Sequence, residues 1–215
     1  MRSDRKTPTR RTPGPVYVVI LLAGLALVLI GFLWFGPSDA DTPPRPTAPT
    51  TTAPVHPNRS VAPLGRSEPV RVDIPRFGLS APVVPLGLEG DGTVQVPPIE
   101  RDAPVGWYRG SPTPGQDGAS VLLGHSTVGV YGKGAFFDVG RLRPGDRVDV
   151  ARADGSTVHF TVGEVRQYPK SRFPADEVYG GSGGPQLRLV TCGGTRGADG
   201  YSDNIVAYAD MTSSG

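Results

Sequence analysis

The hydrophobic positions begin with one long uninterrupted run near the start of the chain. Residues 1–15 are polar and basic, and residues 16–35 (VYVVILLAGLALVLIGFLWF) carry no charge. A helix of that length, at about 1.5 Å rise per residue, spans the roughly 30 Å of bilayer hydrocarbon. The basic flank precedes the run, so the positive-inside rule predicts a cytoplasmic N-terminus and an extracellular remainder. The alternative is a cleaved signal peptide, whose apolar region is usually shorter, about 7–15 residues.

Residues 36–68 have no hydrophobic periodicity. They include eight prolines and five threonines, and no aromatic residue occurs between Phe35 and Phe77. Such a composition buries too little apolar surface to offset the entropy of ordering. We expect a disordered linker that holds the following domain away from the membrane, and His56 lies inside it.

From residue 69 to residue 211 the pattern changes to short apolar stretches separated by glycine- and proline-rich turns, which predicts an all-β domain with only short helices. Residues 212–215 are a short tail. Pattern alone leaves a closed barrel and a sandwich equally open. The candidate strands are Val70–Ile74, Ala81–Leu86, Thr93–Val96, Ala119–Gly124, Asp146–Ala151, Thr157–Gln167, Gln186–Thr191 and Asn204–Ala209.

Charge and cysteine content limit the possible functions. The formal net charge is only +2, so no global field favours nucleic acid. A single cysteine excludes an intramolecular disulfide, and an unpaired cysteine in an extracellular domain needs a reason. One cysteine and scattered histidines do not give zinc-ligand spacing, so we expect neither a metal nor another cofactor.

That cysteine, Cys192, follows an apolar strand and precedes two glycines. Strand alternation places Leu187 and Leu189 on one face and Arg188 and Cys192 on the other. If the leucines face the core, Cys192 lies on the outer surface at a strand end. An inert cysteine is usually buried, whereas a nucleophile needs such access, and the glycines would leave room for a substrate backbone. From the residues alone, catalytic and structural roles remain equally open.

A reactive thiol needs a base or a cationic partner. His159 alternates with inward-facing Val158 and Phe160, so we expect it to point to solvent. His125 follows the apolar strand Ser120–Gly124 and enters a glycine-rich loop, where it is either a turn residue or the partner of Cys192.

Between Pro69 and Asp210 the chain resembles the sortases, especially the class E and class F enzymes of actinobacteria. The Gly-His pair ending at His125 and the Leu-Val-Thr-Cys sequence ending at Cys192 are the most specific features. Further segments of resemblance are Arg71–Pro75, Ala81–Val83, Ala135–Phe137, Gly145-Asp146 and Tyr201–Ala209.

The resemblance implies an eight-stranded closed β-barrel and cysteine transpeptidation. Cys192 would attack the Thr–Gly bond of an LPxTG-like sorting signal on secreted surface proteins and form an acyl-enzyme. An amine from a peptidoglycan precursor or a pilin would release the acyl group. His125 would protonate the leaving amine and later deprotonate the incoming one.

One family feature is missing. Sortases commonly carry an arginine on the last strand that donates hydrogen bonds to the substrate, and this position is Asn204 here. An amide can also donate to an oxyanion. Arg196, in the loop after Cys192, is a second candidate for the same role.

Two other functions remain open. An L,D-transpeptidase acting on peptidoglycan also uses cysteine and histidine, but its Ser-x-Gly-Cys-Arg setting is absent here. A non-catalytic tethered β-domain that binds a cell-wall partner would make Cys192 and His125 incidental.

Overall fold

The computed structural model describes residues 61–181, 183–198 and 200–215. Within these residues the chain forms a closed barrel with the strand order β1-β2-β3-β4-β7-β8-β6-β5. The barrel confirms the predicted all-β fold and decides between barrel and sandwich. The strands are β1 (Pro69–Ile74), β2 (Leu79–Leu86), β3 (Val105–Tyr108), β4 (Gly118–Leu123), β5 (Arg147–Arg152), β6 (Thr157–Pro169), β7 (Pro185–Gly197) and β8 (Gly200–Ser214).

Two of the strand pairs are parallel, namely β2 with β3 and β4 with β7. A parallel pair needs a long crossover connection, and the one between β4 and β7 contains β5, β6 and the short helix α1 (Ala175–Tyr179). In this parallel pair Leu123, the last residue of β4, lies beside Val190 in the middle of β7. Short 3₁₀ helices lie at Pro75–Phe77, Gly129–Tyr131, Val139–Arg141 and Lys170–Arg172.

The barrel interior follows from strand alternation. Leu187 and Leu189 of β7 and Ile205 of β8 are fully buried in the main core, as the sequence predicts. Val158 and Phe160 of β6 are buried in the same core. Each of these side chains moves from water to an apolar interior on folding. This burial stabilises the folded barrel by about 1.5–3 kcal/mol per large side chain.

The outer face of β4, β7 and β8 carries a second apolar cluster, which includes Val121, Val190 and Val206. Val178 of α1 packs onto it and is fully buried. The outward positions of these strands are therefore covered along part of their length, whereas the alternation pattern alone predicts a solvent-facing surface.

Two details of the predicted strands are wrong. Thr93–Val96 alternates polar and apolar residues but makes only an isolated bridge between Leu88 and Val94, and Val96 is exposed. The strand that fills this place in the barrel is Val105–Tyr108, which has no alternation because Val105, Gly106 and Trp107 are all buried. A strand covered on both faces lacks the period of two on which the prediction depends.

The predicted linker boundary at residue 68 falls inside an ordered segment. Residues 61–68 have no regular secondary structure, but Val61 and Leu64 pack against the barrel core. The Leu64 N–H also donates to the carbonyl of Gly115 at 2.8 Å. No helix in the described part of the chain is long and apolar enough to cross a membrane. The predicted span at residues 16–35, His56 and the linker up to residue 60 lie outside the described residues.

Candidate active site

Of the two residues singled out for chemistry, His125 follows strand β4 and Cys192 lies within the parallel strand β7. Leu123 pairs with Val190 at the end of β4, and continuing this register by two residues places His125 beside Cys192. The Gly124 N–H donates to the Val190 carbonyl at 3.0 Å, so the chains stay paired beyond the strand end. Both residues have the outward parity of Leu123 and Val190, which belong to the outer cluster. Extending the register in this way gives the predicted thiol and imidazole the same outward parity.

Ser126 fastens these two segments together. It is almost fully buried, and its hydroxyl donates to the main-chain carbonyl of Cys192 at 2.6 Å. The Thr191 hydroxyl lies 3.4 Å from the Ser126 hydroxyl. Ser126, the residue after His125, therefore holds the backbone of Cys192. Ser126 is not predicted from the sequence, because a serine beside a histidine carries no specific signal.

The His125 ring also contacts the connection between β2 and β3. Its Nε2 lies 2.7 Å from the carbonyl oxygen of Pro97, a buried residue in the connection between β2 and β3. This contact joins residues 28 positions apart. The role of Pro97 is not predicted from the sequence, because the acceptor is a main-chain oxygen.

Asn204 lies directly across from Cys192 on β8, where the two are cross-strand partners in an antiparallel pair. Such partners project to the same face with their Cβ atoms about 4.5–5.5 Å apart. The inward burial of Ile205, Ala207 and Ala209 gives Asn204 the predicted outward direction. Among the described residues, none forms a hydrogen bond with the Asn204 side chain. Its amide is thus available to a ligand at the thiol.

Arg196 is separated from this face by a bulge. The register shifts between Gly193 and Arg196, so that Arg196 pairs with Tyr201 and not with Gly200. Tyr201 is three residues from Asn204 and so has the opposite parity. Arg196 is exposed, and its guanidinium lies 5.7 Å from the Tyr201 ring centroid. By register, Asn204 is the better placed of the two candidates.

The two glycines after Cys192 have structural reasons beyond substrate access. A Cβ on Gly193 would lie 2.5 Å from Cδ1 of Ile205, which is too close for any side chain. Gly194 has φ +77° in the bulge, a conformation that favours glycine. Strand β7 also continues past Cys192 to Gly197, so the cysteine is half-buried within a strand and not exposed at its end.

Aromatic rings form a wall along the outer face next to Cys192. Tyr108, Phe173 and Tyr179 are half-buried, and the ring of Tyr179 makes edge contacts with the other two at 5.8 and 6.2 Å. Burial raises the pKa of Tyr179. Burial also raises the pKa of Tyr208, and the 2.9 Å hydrogen bond between its hydroxyl and that of Tyr168 raises it further. These hydroxyls stay neutral at ordinary pH, and the guanidinium groups of Arg166 and Arg188 lie over the Tyr208 ring, 5.3 and 4.6 Å from its centroid.

His159 lies elsewhere, on the outer face of β6. Its Nδ1 is 2.6 Å from a carboxylate oxygen of Asp149, and its side chain is about one quarter exposed. Arg147 also contacts Asp149. As predicted, this histidine faces outward on a charged surface.

A thiol, an imidazole and an amide are residue types that cysteine acyl-transfer chemistry uses. The sortase domain family matches residues 72–212. The chain therefore belongs to the sortase family, whose members are cysteine transpeptidases. A comparison with curated protein sequences found no match.

Solved sortase structures share the fold. Sortase C1 of Streptococcus agalactiae, in complex with MTSET, is 18% identical, with a TM-score of 0.52 over 66% of each chain. Sortase C-1 of Actinomyces oris is 21% identical, with a TM-score of 0.51 over 68% of this chain and 76% of that one. Sortase C1 of Streptococcus suis is 17% identical, with a TM-score of 0.52 over 69% and 74%. The chain spans about two thirds of the length of the first of these structures.

Proposed function

We propose that this protein cleaves an LPxTG-like sorting signal between Thr and Gly and transfers the new acyl group to an amine. The observation that carries the proposal is the register that gives His125, Cys192 and Asn204 one common face. The amine would belong to a peptidoglycan precursor or a pilin. Anchoring through residues 16–35 would place the reaction at the outer surface of the cell membrane.

The residues have separate roles in this reaction. The Cys192 thiolate attacks the threonine carbonyl carbon, and the amide of Asn204 donates to the oxyanion that forms. The C–N bond to glycine breaks as protonated His125 gives its proton to the leaving amine. Neutral His125 then removes a proton from the incoming amine, which attacks the thioester, and the C–S bond breaks to regenerate the thiolate.

The aromatic wall supports a peptide substrate of this kind. Leucine and proline side chains of a sorting signal are apolar, and half-buried rings offer them apolar contact area. These rings pack against Val190 of β7 and Val206 of β8, which precede Cys192 and follow Asn204 by two residues on the same outer face. The positions of Tyr108 and Tyr179 make them candidate contacts for those side chains.

The first test is formation of the acyl-enzyme. The full chain is incubated with an LPxTG-type peptide, and mass spectrometry measures the mass added at Cys192. We expect a thioester in the unmodified protein and none in Cys192→Ala, and a methanethiosulfonate reagent should block both acylation and turnover. Transfer is then followed with a diamine or a glycine peptide as acceptor.

The result also decides between this function and a non-catalytic binding domain. Turnover that survives thiol modification would contradict the proposed mechanism. A protein that binds the peptide but never forms a thioester would indicate a binding domain. A panel of sorting-signal peptides, tested against several amines, would identify the preferred motif and acceptor.

A further inference from the structure

The contact between Pro97 and His125 has a chemical consequence for the proposed reaction. A carbonyl oxygen accepts hydrogen bonds and cannot donate them. A separation of 2.7 Å between Nε2 and the Pro97 oxygen is a hydrogen bond by distance. The hydrogen must therefore be on Nε2. In the neutral ring the second nitrogen, Nδ1, is then the one with a free lone pair.

The bond is compatible with both protonation states of the ring. Nε2 carries a hydrogen in the neutral form described above and in the imidazolium form. The ring can therefore gain and lose a proton at Nδ1 without turning and without breaking its contact to Pro97. A general acid that must later act as a general base needs this property.

Two consecutive prolines restrict the backbone that sets the direction of the Pro97 carbonyl. The pyrrolidine ring of Pro97 fixes its own φ, and Pro98 restricts the conformation of the residue that precedes it. A hydrogen bond within this connection, from the Gly87 N–H to Oε1 of Gln95 at 2.7 Å, joins its start to the residues just before Pro97. Arg101 stacks over the ring of Tyr131, 5.6 Å from its centroid, and so joins this connection to the segment after His125.

We infer that the connection between β2 and β3 positions the catalytic histidine: the Pro97 carbonyl holds the hydrogen on Nε2 of His125, and Nδ1 is the nitrogen that exchanges protons with substrate amines. The inference rests on the proposed function for its role in turnover. The tautomer itself is a property of the resting protein. Pro97 is thus a positioning residue that acts through its main chain.

The direct test is nuclear magnetic resonance of the full chain labelled with ¹⁵N at histidine. The chain has three histidines, and the His125 signals are those that disappear in His125→Gln. At a pH where the ring is neutral, we expect a protonated Nε2 and a bare Nδ1, with a slowly exchanging ring proton. A proton on Nδ1, or rapid averaging between the two tautomers, would overturn the inference.

A double variant tests the link to catalysis. Pro97→Gly with Pro98→Gly frees the backbone that aims the carbonyl, so the Nε2 proton should exchange faster with water. We expect kcat to fall about tenfold, less than the roughly hundredfold or greater loss of an acid–base group, with KM for the peptide nearly unchanged. Ile99→Gly is the matched control, because it also adds a glycine to this connection, at an exposed side chain.

The outcomes separate this inference from the proposed function. An unchanged kcat in the double variant, or an equal fall in Ile99→Gly, would show that Pro97 does not position the ring for catalysis. If Cys192 formed no acyl-enzyme, the proposed function would fail, while the tautomer would still be measured by the spectrum of the unmodified protein.

Discussion

The two histidines of the barrel show how different surroundings suit the same side chain to different roles. His159 lies on β6 with its Nδ1 against the carboxylate of Asp149, in a surface of paired charges. His125 lies at the end of β4, where its ring contacts a neutral carbonyl and its neighbour Ser126 holds the cysteine backbone. The Nδ1 of the first ring contacts the charged side chains of Asp149 and Arg147, whereas the Nε2 of the second contacts a single neutral main-chain oxygen. Under the proposed function, only the second ring is beside a thiol, and its partners suit it to proton transfer.

Replacing each histidine in turn gives the largest expected contrast. His125→Ala removes the proton-transfer group, and kcat/KM for peptide transfer should fall roughly 10³-fold. His159→Ala removes an outward side chain of β6 that contacts Asp149 and no residue of the site, so kcat/KM should stay within about twofold. Steady-state transfer to a glycine peptide measures both. Equal losses of kcat/KM in the two variants would show that His125 has no role in transfer that His159 lacks.

The next contrast compares Asn204 with Arg196. Asn204→Ala removes the donor opposite Cys192, and kcat should fall about 10²-fold, the usual loss for an oxyanion donor. Arg196→Ala alters an exposed side chain beyond the bulge and should change kcat by about threefold at most. Circular dichroism checks that both variants fold. The reverse ranking would assign the oxyanion role to Arg196.

Two buried serines of the β4 region provide a smaller and closely matched test. Ser126→Ala leaves the Cys192 carbonyl without its donor, which should lower the free energy of unfolding by about 1–3 kcal/mol and kcat by several-fold. Ser120 is equally buried, but its hydroxyl has no hydrogen-bond partner among the described residues. Ser120→Ala should therefore leave both quantities unchanged or raise stability slightly. Urea unfolding and initial rates distinguish the two results.

The smallest predicted effect concerns the aromatic wall at high pH. Because burial and the Tyr168 hydroxyl raise the pKa of Tyr208 in the folded protein, its contribution to stability is complete below the unfolded value of about 10. That contribution is lost as the pH rises above this value. At neutral pH the free energy of unfolding of Tyr208→Phe should be about 1 kcal/mol lower than that of the unmodified protein. Between about pH 9 and 11 it should decline less steeply with pH.

Urea unfolding across this pH range measures the effect, and Tyr131→Phe, at an exposed tyrosine, is the control. A decline that is as steep in Tyr208→Phe as in the unmodified protein would show that another group causes it.

Much of the barrel could be predicted from the sequence because strand alternation is local information. The inward leucines of β7 and the inward Ile205 of β8 follow directly from a period of two. The same rule failed at Val105–Tyr108, where both faces are buried, and at Thr93–Val96, where alternation occurs outside any strand.

Only the parts of the candidate site that depend on the identity of a side chain could be predicted from the sequence. Cys192 and His125 are conspicuous by residue type, and Asn204 follows from its place on the last strand. Pro97 acts through a main-chain oxygen and Ser126 through a long-range contact, neither of which leaves a mark in the local pattern. The bulge that turns Arg196 away from Cys192 is likewise visible only in the cross-strand register.

The parallel pairing of β4 with β7 also determines when reactivity arises during folding. The hydrogen bond between Ser126 and Cys192 joins residues 66 positions apart, and closing such a long loop is a slow, late event in β-rich proteins. A chain in which β7 has not docked has a cysteine but no neighbouring imidazole. Under the proposed function, Cys192 gains its proton-transfer partner only after the barrel has closed, so its chemistry is withheld from unfinished chains.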